Sequence, residues 1–305
     1  LRTGNGKVEG GSFYEKTAFY HTDTYSGGVD NLAVDKIWYS FPIADSEKFT
    51  AFIGPKIENY YMYAAPVSIY RPGFHKAFKL GGNSAAFGAS TKTGFGIKYE
   101  GDNGFAASTN VVSSGAAGTT GFLTKNDSHK WDTMLAYTDD QKHISLTLSN
   151  QHHDWTSFEY FSTTAAATVT ADSNATAYAA RAYWRPEESG TAVPEISVGY
   201  DTKKADTPDA GAGKEADSWM VGFTWKDMFQ ADDRIGLALT QPLKQTACNG
   251  TCSTTEIDPL VWEAYYSFRP NDSMEVRPAI FGGTDVEDST DDDIFGAVLT
   301  TVFKF

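Results

Sequence analysis

The segment 293–305 constrains the fold more than any other stretch of the chain. It reads Asp293-Ile294-Phe295-Gly296-Ala297-Val298-Leu299-Thr300-Thr301-Val302-Phe303-Lys304-Phe305. Phe295, Ala297, Leu299, Phe303 and Phe305 share one parity, and Gly296, Thr300 and Lys304 share the other. Alternation of period two describes a strand with one apolar and one polar face. In a soluble domain, an aromatic row on a terminal strand invites edge-to-edge pairing. In a membrane barrel, the closing strand pairs with the first and its aromatics sit at the bilayer interface.

The same alternation recurs at 1–6, 32–43, 49–59, 93–100, 104–113, 130–138, 143–154, 175–186, 193–203, 217–228, 233–244, 259–270 and 274–284. This predicts about fourteen strands, most of them near the ~10 residues that a tilted membrane strand requires. Short polar turns at 44–47, 101–103, 139–142, 187–190, 230–232 and 271–273 alternate with long connections rich in Gly, Ser, Thr, Ala and Asp. Short turns at one end and long loops at the other belong to an all-β, transmembrane antiparallel β-barrel. No helical period and no break in composition interrupts the pattern, so one domain is expected over 1–305.

Three rows carry the face assignment. Tyr178, Ala180, Ala182 and Trp184 oppose Arg181, Tyr183 and Arg185. Trp219, Val221, Phe223 and Trp225 oppose Ser218, Gly222, Thr224 and Lys226. Trp262, Ala264, Tyr266 and Phe268 oppose Glu263 and Arg269. A soluble sandwich would bury the apolar rows in its core. The tryptophans at their ends favour lipid, because Trp and Tyr gather at the two bilayer interfaces. On this reading no hydrophobic core lies inside the barrel.

Composition supports the same class. No run approaches the ~18 apolar residues of a membrane helix. A mean hydropathy of −0.38 does not oppose a barrel, whose strands alternate. The 14% of aromatic residues suits interfacial girdles, and the net charge of −14 argues against a nucleic-acid partner.

Inward parity carries Lys36, Lys56, Lys98, Arg181, Arg185, Lys203, Lys226, Arg234, Lys244, Arg269, Arg277 and Lys304. Acids on that parity are fewer: Glu58, Glu100, Glu195, Asp201, Glu263 and Glu275. The wall is therefore net basic, and the negative charge belongs mainly to loops such as 285–293. Most basic wall positions lie near the short turns, the expected periplasmic end.

The connection at 60–80 stands apart. It holds Tyr60, Tyr61, Tyr63, Tyr70, Phe74 and Phe78, together with Arg71, His75, Lys76 and Lys79. A loop this aromatic buries its rings, and in a water-filled barrel it folds into the lumen and narrows it. Lys56, Glu58, Arg71, His75, Lys76, Lys79, Lys98, Arg181, Arg185, Glu263, Arg269 and Arg277 are the expected lining and constriction residues. The alternative is a loop packed on the rim or on a neighbouring subunit.

Other motifs carry less. Cys248 and Cys252 in Ala-Cys-Asn-Gly-Thr-Cys suit a small disulfide-closed loop; the alternative is two free thiols. His152, His153 and Asp154 lie at an outer strand end, but neighbours on a regular strand face opposite ways, so no shared site and no catalysis is expected. The acidic run 285–293 lacks the glycine turn of a calcium loop. No cofactor is expected.

Several segments also carry a family resemblance. Val34-Asp35-Lys36-Ile37-Trp38-Tyr39-Ser40-Phe41-Pro42-Ile43 and Phe49-Thr50-Ala51-Phe52-Ile53-Gly54-Pro55-Lys56 resemble paired strands of the cyanobacterial major outer-membrane porins. Leu1-Arg2-Thr3-Gly4-Asn5 and Asp102-Asn103-Gly104-Phe105-Ala106-Ala107-Ser108 are similar to two further segments of that family. The rest of the chain matches only in barrel pattern. The resemblance implies membership of the carbohydrate-selective, OprB-type superfamily, whose cyanobacterial members are often called iron-uptake porins. It implies an upstream hairpin, hence about sixteen strands, and before it a periplasmic S-layer-homology domain that binds peptidoglycan or wall polymer. The expected setting is the outer membrane. The expected partners are its lipid, two more copies in a homotrimer, and small ions or solutes in transit, iron among them.

Overall fold

The computed structural model describes residues 34–44, 46–71, 74, 76–82, 91–114, 121–153, 174–206, 210–211, 213–251, 258–285 and 293–304, with backbone only at 76 and 294. The expected first strand at 1–6 lies outside the described residues.

The remaining alternating segments form the strands β1 (Ile37–Ile43), β2 (Ser46–Glu58), β3 (Thr91–Glu100), β4 (Phe105–Ser113), β5 (His129–Thr138), β6 (Lys142–His152), β7 (Asn174–Trp184), β8 (Glu195–Ala205), β9 (Gly213–Lys226), β10 (Arg234–Cys248), β11 (Leu260–Asn271), β12 (Met274–Thr284) and β13 (Ile294–Phe303). They make one 13-stranded sheet in sequence order. Each pairs antiparallel with the next, as in β6 and β7, where Lys142 faces Trp184 and His152 faces Asn174. This is an up-and-down meander with no crossover.

Parity sorts the two faces as the sequence pattern predicts. Along β5, Lys130, Asp132, Met134 and Ala136 are buried while Trp131 and Leu135 are exposed. Along β7, Ala175, Ala177, Ala179, Arg181 and Tyr183 are buried, and Tyr178 faces out. The outer face is an apolar band edged by aromatics. Near the short-turn ends, Phe49 meets Tyr99 at 4.9 Å between ring centres, Phe105 meets Tyr137 at 5.1 Å, and Tyr266 stacks on Phe268 at 5.4 Å. At the other end Trp262 meets Phe295 at 6.1 Å. Phe295 and Phe303 bracket the band on one strand, about 27 Å apart at ~3.4 Å per residue, which suits a tilted strand crossing a ~25 Å apolar band.

The expectation of an interior without an apolar core is overturned. The segment between β2 and β3, with short 3₁₀ turns at Asn59–Met62 and Lys76–Gly81, lies against the inner wall. Met62 packs with Phe52 and Ile57 of β2 and Val112 of β4. Tyr63, Ala65 and Val67 meet Met134 and Ala136 of β5 and Ala179 of β7. Tyr70, Phe74 and Phe78 meet Met220 of β9, Ala238 of β10, Val261 and Tyr265 of β11, and Ala279 and Phe281 of β12. One short segment touches strands from β2 to β12, so the sheet curls around it. Burying these rings removes apolar area from water at about 25 cal/mol per Å², which is why an aromatic loop does not stay in solvent.

Candidate functional site

Wall contacts hold the insert along its length. At its start, Asn59 Nδ2 donates to Asp132 Oδ2 at 2.5 Å and the Tyr63 hydroxyl donates to the same oxygen at 3.0 Å. Midway, the backbone N–H groups of Ile69 and Tyr70 donate to Ser197 Oγ on β8, each at 3.2 Å. Next, Glu263 of β11 accepts from the Tyr70 hydroxyl at 2.9 Å and from Phe74 N at 3.0 Å. At the end, Arg181 Nε donates to Leu80 O at 2.7 Å. Burial, with Asp132 and Glu263 alongside, pushes the Tyr63 and Tyr70 phenols well above their ordinary range, so both stay protonated and donate.

The close approach at the end of the insert depends on glycine. Gly81 has φ +74°, and a Cβ on Gly199 of β8 would fall 1.7 Å from Gly81 O. Gly222 of β9 likewise leaves room for the Tyr70 ring, 2.7 Å from where its Cβ would sit.

Between the insert and the wall lies a cavity of about 780 Å³. One side is the insert, with Tyr60, Tyr61, Arg71 and Lys79; the other is the short-turn end of the wall, with Lys98, Glu100, Asp232, Arg234, Arg269, Glu275 and Arg277. Six basic side chains line it against three acidic ones. Three of the bases have acidic neighbours: Lys98 with Glu100 at 2.6 Å, Arg269 with Asp232 at 3.3 Å, and Arg277 with Glu275 at 2.8 Å. Lys79 Nζ sits 4.4 Å above the Tyr60 ring.

The structure thus gathers Arg71, Lys79, Lys98, Arg269 and Arg277 at one cavity. Other expected lining residues are placed elsewhere. Lys56 is exposed and its Nζ donates to Val34 O at 2.8 Å. A register shift between Gly54 and Ile57 reverses its face, so that it lies across from Ile37. Glu58 is buried behind the start of the insert, with Lys36 Nζ and Thr91 Oγ1 each 2.9 Å from its Oε1. Arg181 is buried beneath Gly81 and Gly82, with Nη1 2.6 Å from Asp201 Oδ1 and Nη2 donating to Oδ2 at 2.9 Å. It is a clamp rather than a lining residue. Glu263, also fully buried, is an anchor. Arg185 lies 5.4 Å from the Tyr183 ring in a separate recess with Glu187, Glu188 and Lys226. His75 lies outside the described residues, as does the Lys76 side chain.

Lys130 and Asp132 were not among the expected site residues, although Asp132 anchors the insert. Their parity opposite Trp131 and Leu135 was the signal that could have found them. The histidines also differ from expectation. His153 leaves the strand with φ +61°, and its ring lies 6.2 Å from that of His152, which is 4.9 Å from His129. Among the described residues no group of His, Cys, Asp and Glu is placed to hold a metal ion. Cys248 is disulfide-bonded; Cys252, the other cysteine of the chain, lies outside the described residues. Of the acidic run 285–293, only Asp285 and Asp293 are described.

The fold is similar to solved outer-membrane barrels. Pseudomonas putida OprB matches with a TM-score of 0.59 at 13% identity, over 88% of this chain and 72% of that one. Salmonella typhi OmpF, in complex with daunomycin, matches at 0.54 and 13% identity, over 91% and 93%. A loop L8 deletion mutant of OmpT, an outer membrane protein of Vibrio cholerae, matches at 0.52 and 14% identity, over 85% and 77%. At these identities the likeness is one of fold. No protein-family model and no curated protein sequence matches the chain.

Proposed function

We propose that this protein is an outer-membrane porin, a passive channel for small hydrophilic solutes and ions with no covalent chemistry. The observation that carries the reading is the insert held inside the barrel, leaving a cavity of about 780 Å³ whose wall is net basic. A pore narrowed by an internal segment selects by width, and the charge on its wall selects by sign. The acidic loops concentrate cations at the outer mouth, while the basic inner wall favours anions. The two fields oppose each other, so net selectivity is weak and salt-dependent, because exposed charges are screened beyond about 10 Å at 0.1 M salt. The resemblance to cyanobacterial porins supports inorganic ions, iron among them, as solutes, and its OprB-type superfamily supports neutral sugars. A homotrimer in the outer membrane, held to the wall through an N-terminal domain, completes that reading.

A second reading follows from the extent of the anchoring: an insert bonded to β5, β7, β8 and β11 suits a structural barrel without an open pore. Planar-bilayer recording under a salt gradient separates the two. A porin gives discrete conductance steps and a small reversal potential that changes with salt. Folded, inserted protein that gives no steps is the structural barrel.

A further inference from the structure

Residues facing one another across successive ladders form rows around the inner wall, and one of these rows is cationic. Lys226 of β9 pairs with Arg234 of β10, and Arg234 pairs with Ser267 of β11. The β11–β12 register, with Tyr265 opposite Ala279 and Phe268 opposite Val276, sets Arg277 across from Ser267. Neighbouring strands are about 4.8 Å apart, so the Arg234 and Arg277 backbones stand about 10 Å apart with one small side chain between them. Both arginines line the cavity. Arg234 makes no ion pair among the described residues. Arg277 gives Nε to Glu275 Oε1 at 2.8 Å, and Ser267 Oγ donates to that oxygen at 2.5 Å. Glu275 therefore orients Arg277 without engaging its terminal amino groups, and Arg269 adds charge from the adjoining lining.

Two guanidinium forks on either side of a serine, in a recess with six cations and three carboxylates, match a compact multivalent anion better than a halide. Guanidinium binds phosphate oxygens through paired, charge-assisted hydrogen bonds. We propose that the Arg234–Ser267–Arg277 row is a transit binding site for phosphate-type oxyanions, either inorganic phosphate or the head of a small phosphate ester. The proposal rests on the diffusion-channel reading and names its solute class.

Two measurements on the full chain test it separately from that reading. Phosphorus NMR line broadening of inorganic phosphate over detergent-solubilised protein reads binding whether or not the barrel conducts. Bilayer conductance in chloride, with phosphate added on the short-turn side, reads block of an open channel. Saturable binding is expected, with the half-saturating concentration raised about tenfold in Arg234→Gln and in Arg277→Gln, the loss of a charge-assisted contact. Arg185→Gln, in the other recess, leaves it unchanged. Glucose 6-phosphate competes: tighter binding than inorganic phosphate assigns the site to esters, and equal binding assigns it to the free ion. Binding without conductance keeps the site and removes the channel. Absence of saturable binding in the wild-type protein, or wild-type affinity retained in both arginine variants, overturns the site even if the channel conducts.

Discussion

Glu263 offers the sharpest test of how the insert is held. Its buried carboxylate accepts from the Tyr70 hydroxyl at 2.9 Å and from Phe74 N at 3.0 Å. Glu263→Ala removes the acceptor and leaves both donors in an apolar pocket formed by Phe74, Phe78 and Tyr265. Hydrogen bonds to a charged group contribute about 1.5–3 kcal/mol each, so the central part of the insert should lose about 3 kcal/mol of holding energy. That raises the detached population roughly a hundredfold. Asp132 and Arg181 still hold the two ends and Ser197 the middle, so the insert loosens without leaving the lumen. Glu263→Gln keeps an acceptor for Phe74 N but loses the charge, and should cost about 1 kcal/mol. Single-channel recording reads the difference: brief excursions to a larger conductance, frequent in the alanine variant and rarer in the glutamine variant. Equal noise in wild type, glutamine and alanine variants would refute the idea that this carboxylate anchors the insert.

Further expectations follow from other parts of the structure. Gly199→Ala puts a methyl into Gly81 O and should push the end of the insert off β8, seen as altered mean conductance with normal folding; an unchanged conductance contradicts the close approach. Arg181→Met leaves Asp201 buried without its partner and should destabilise the barrel by about 3–5 kcal/mol in denaturant titrations, rather than merely shifting ion preference. Neutralising Arg269 together with Arg277 should move the reversal potential toward cations at low salt, with the shift fading as salt rises; a shift equally strong at high salt places these charges in a dry constriction. In the β9–β10 turn, burial tends to raise the Asp233 pKa, but the N–H groups of Phe229 and Met228, the Tyr266 hydroxyl and Gln230 N–H outweigh it and hold the carboxyl below its ordinary value. Its stabilisation is present above an unfolded pKa of about 3.9 and is lost as pH falls through the lower folded value, so acid should weaken the wild type more steeply than Asp233→Asn over that range.

The face assignment was legible in the sequence because strand parity is local. Trp219, Val221 and Phe223 alternate with Ser218, Met220 and Gly222, and each points where its backbone neighbours require. The sense of the connections was legible for the same reason, since a two-residue polar turn such as Asp272-Ser273 is written into consecutive residues. The aromatic content of the insert was enough to expect it indoors, because exposed rings cost free energy wherever they sit. Its anchors were not legible. Asp132, Arg181, Ser197 and Glu263 come from four strands and share with many other residues the single property of inward parity. Arg181 and Arg277 look alike on that criterion, yet one lies buried under Gly81 and Gly82 and the other lines the cavity. Lys56 shows the opposite failure, where a single register shift between Gly54 and Ile57 reverses a face that counting by twos had assigned. Local alternation decides which way a side chain points; only the curled sheet, and the path of the segment inside it, decides what that side chain meets.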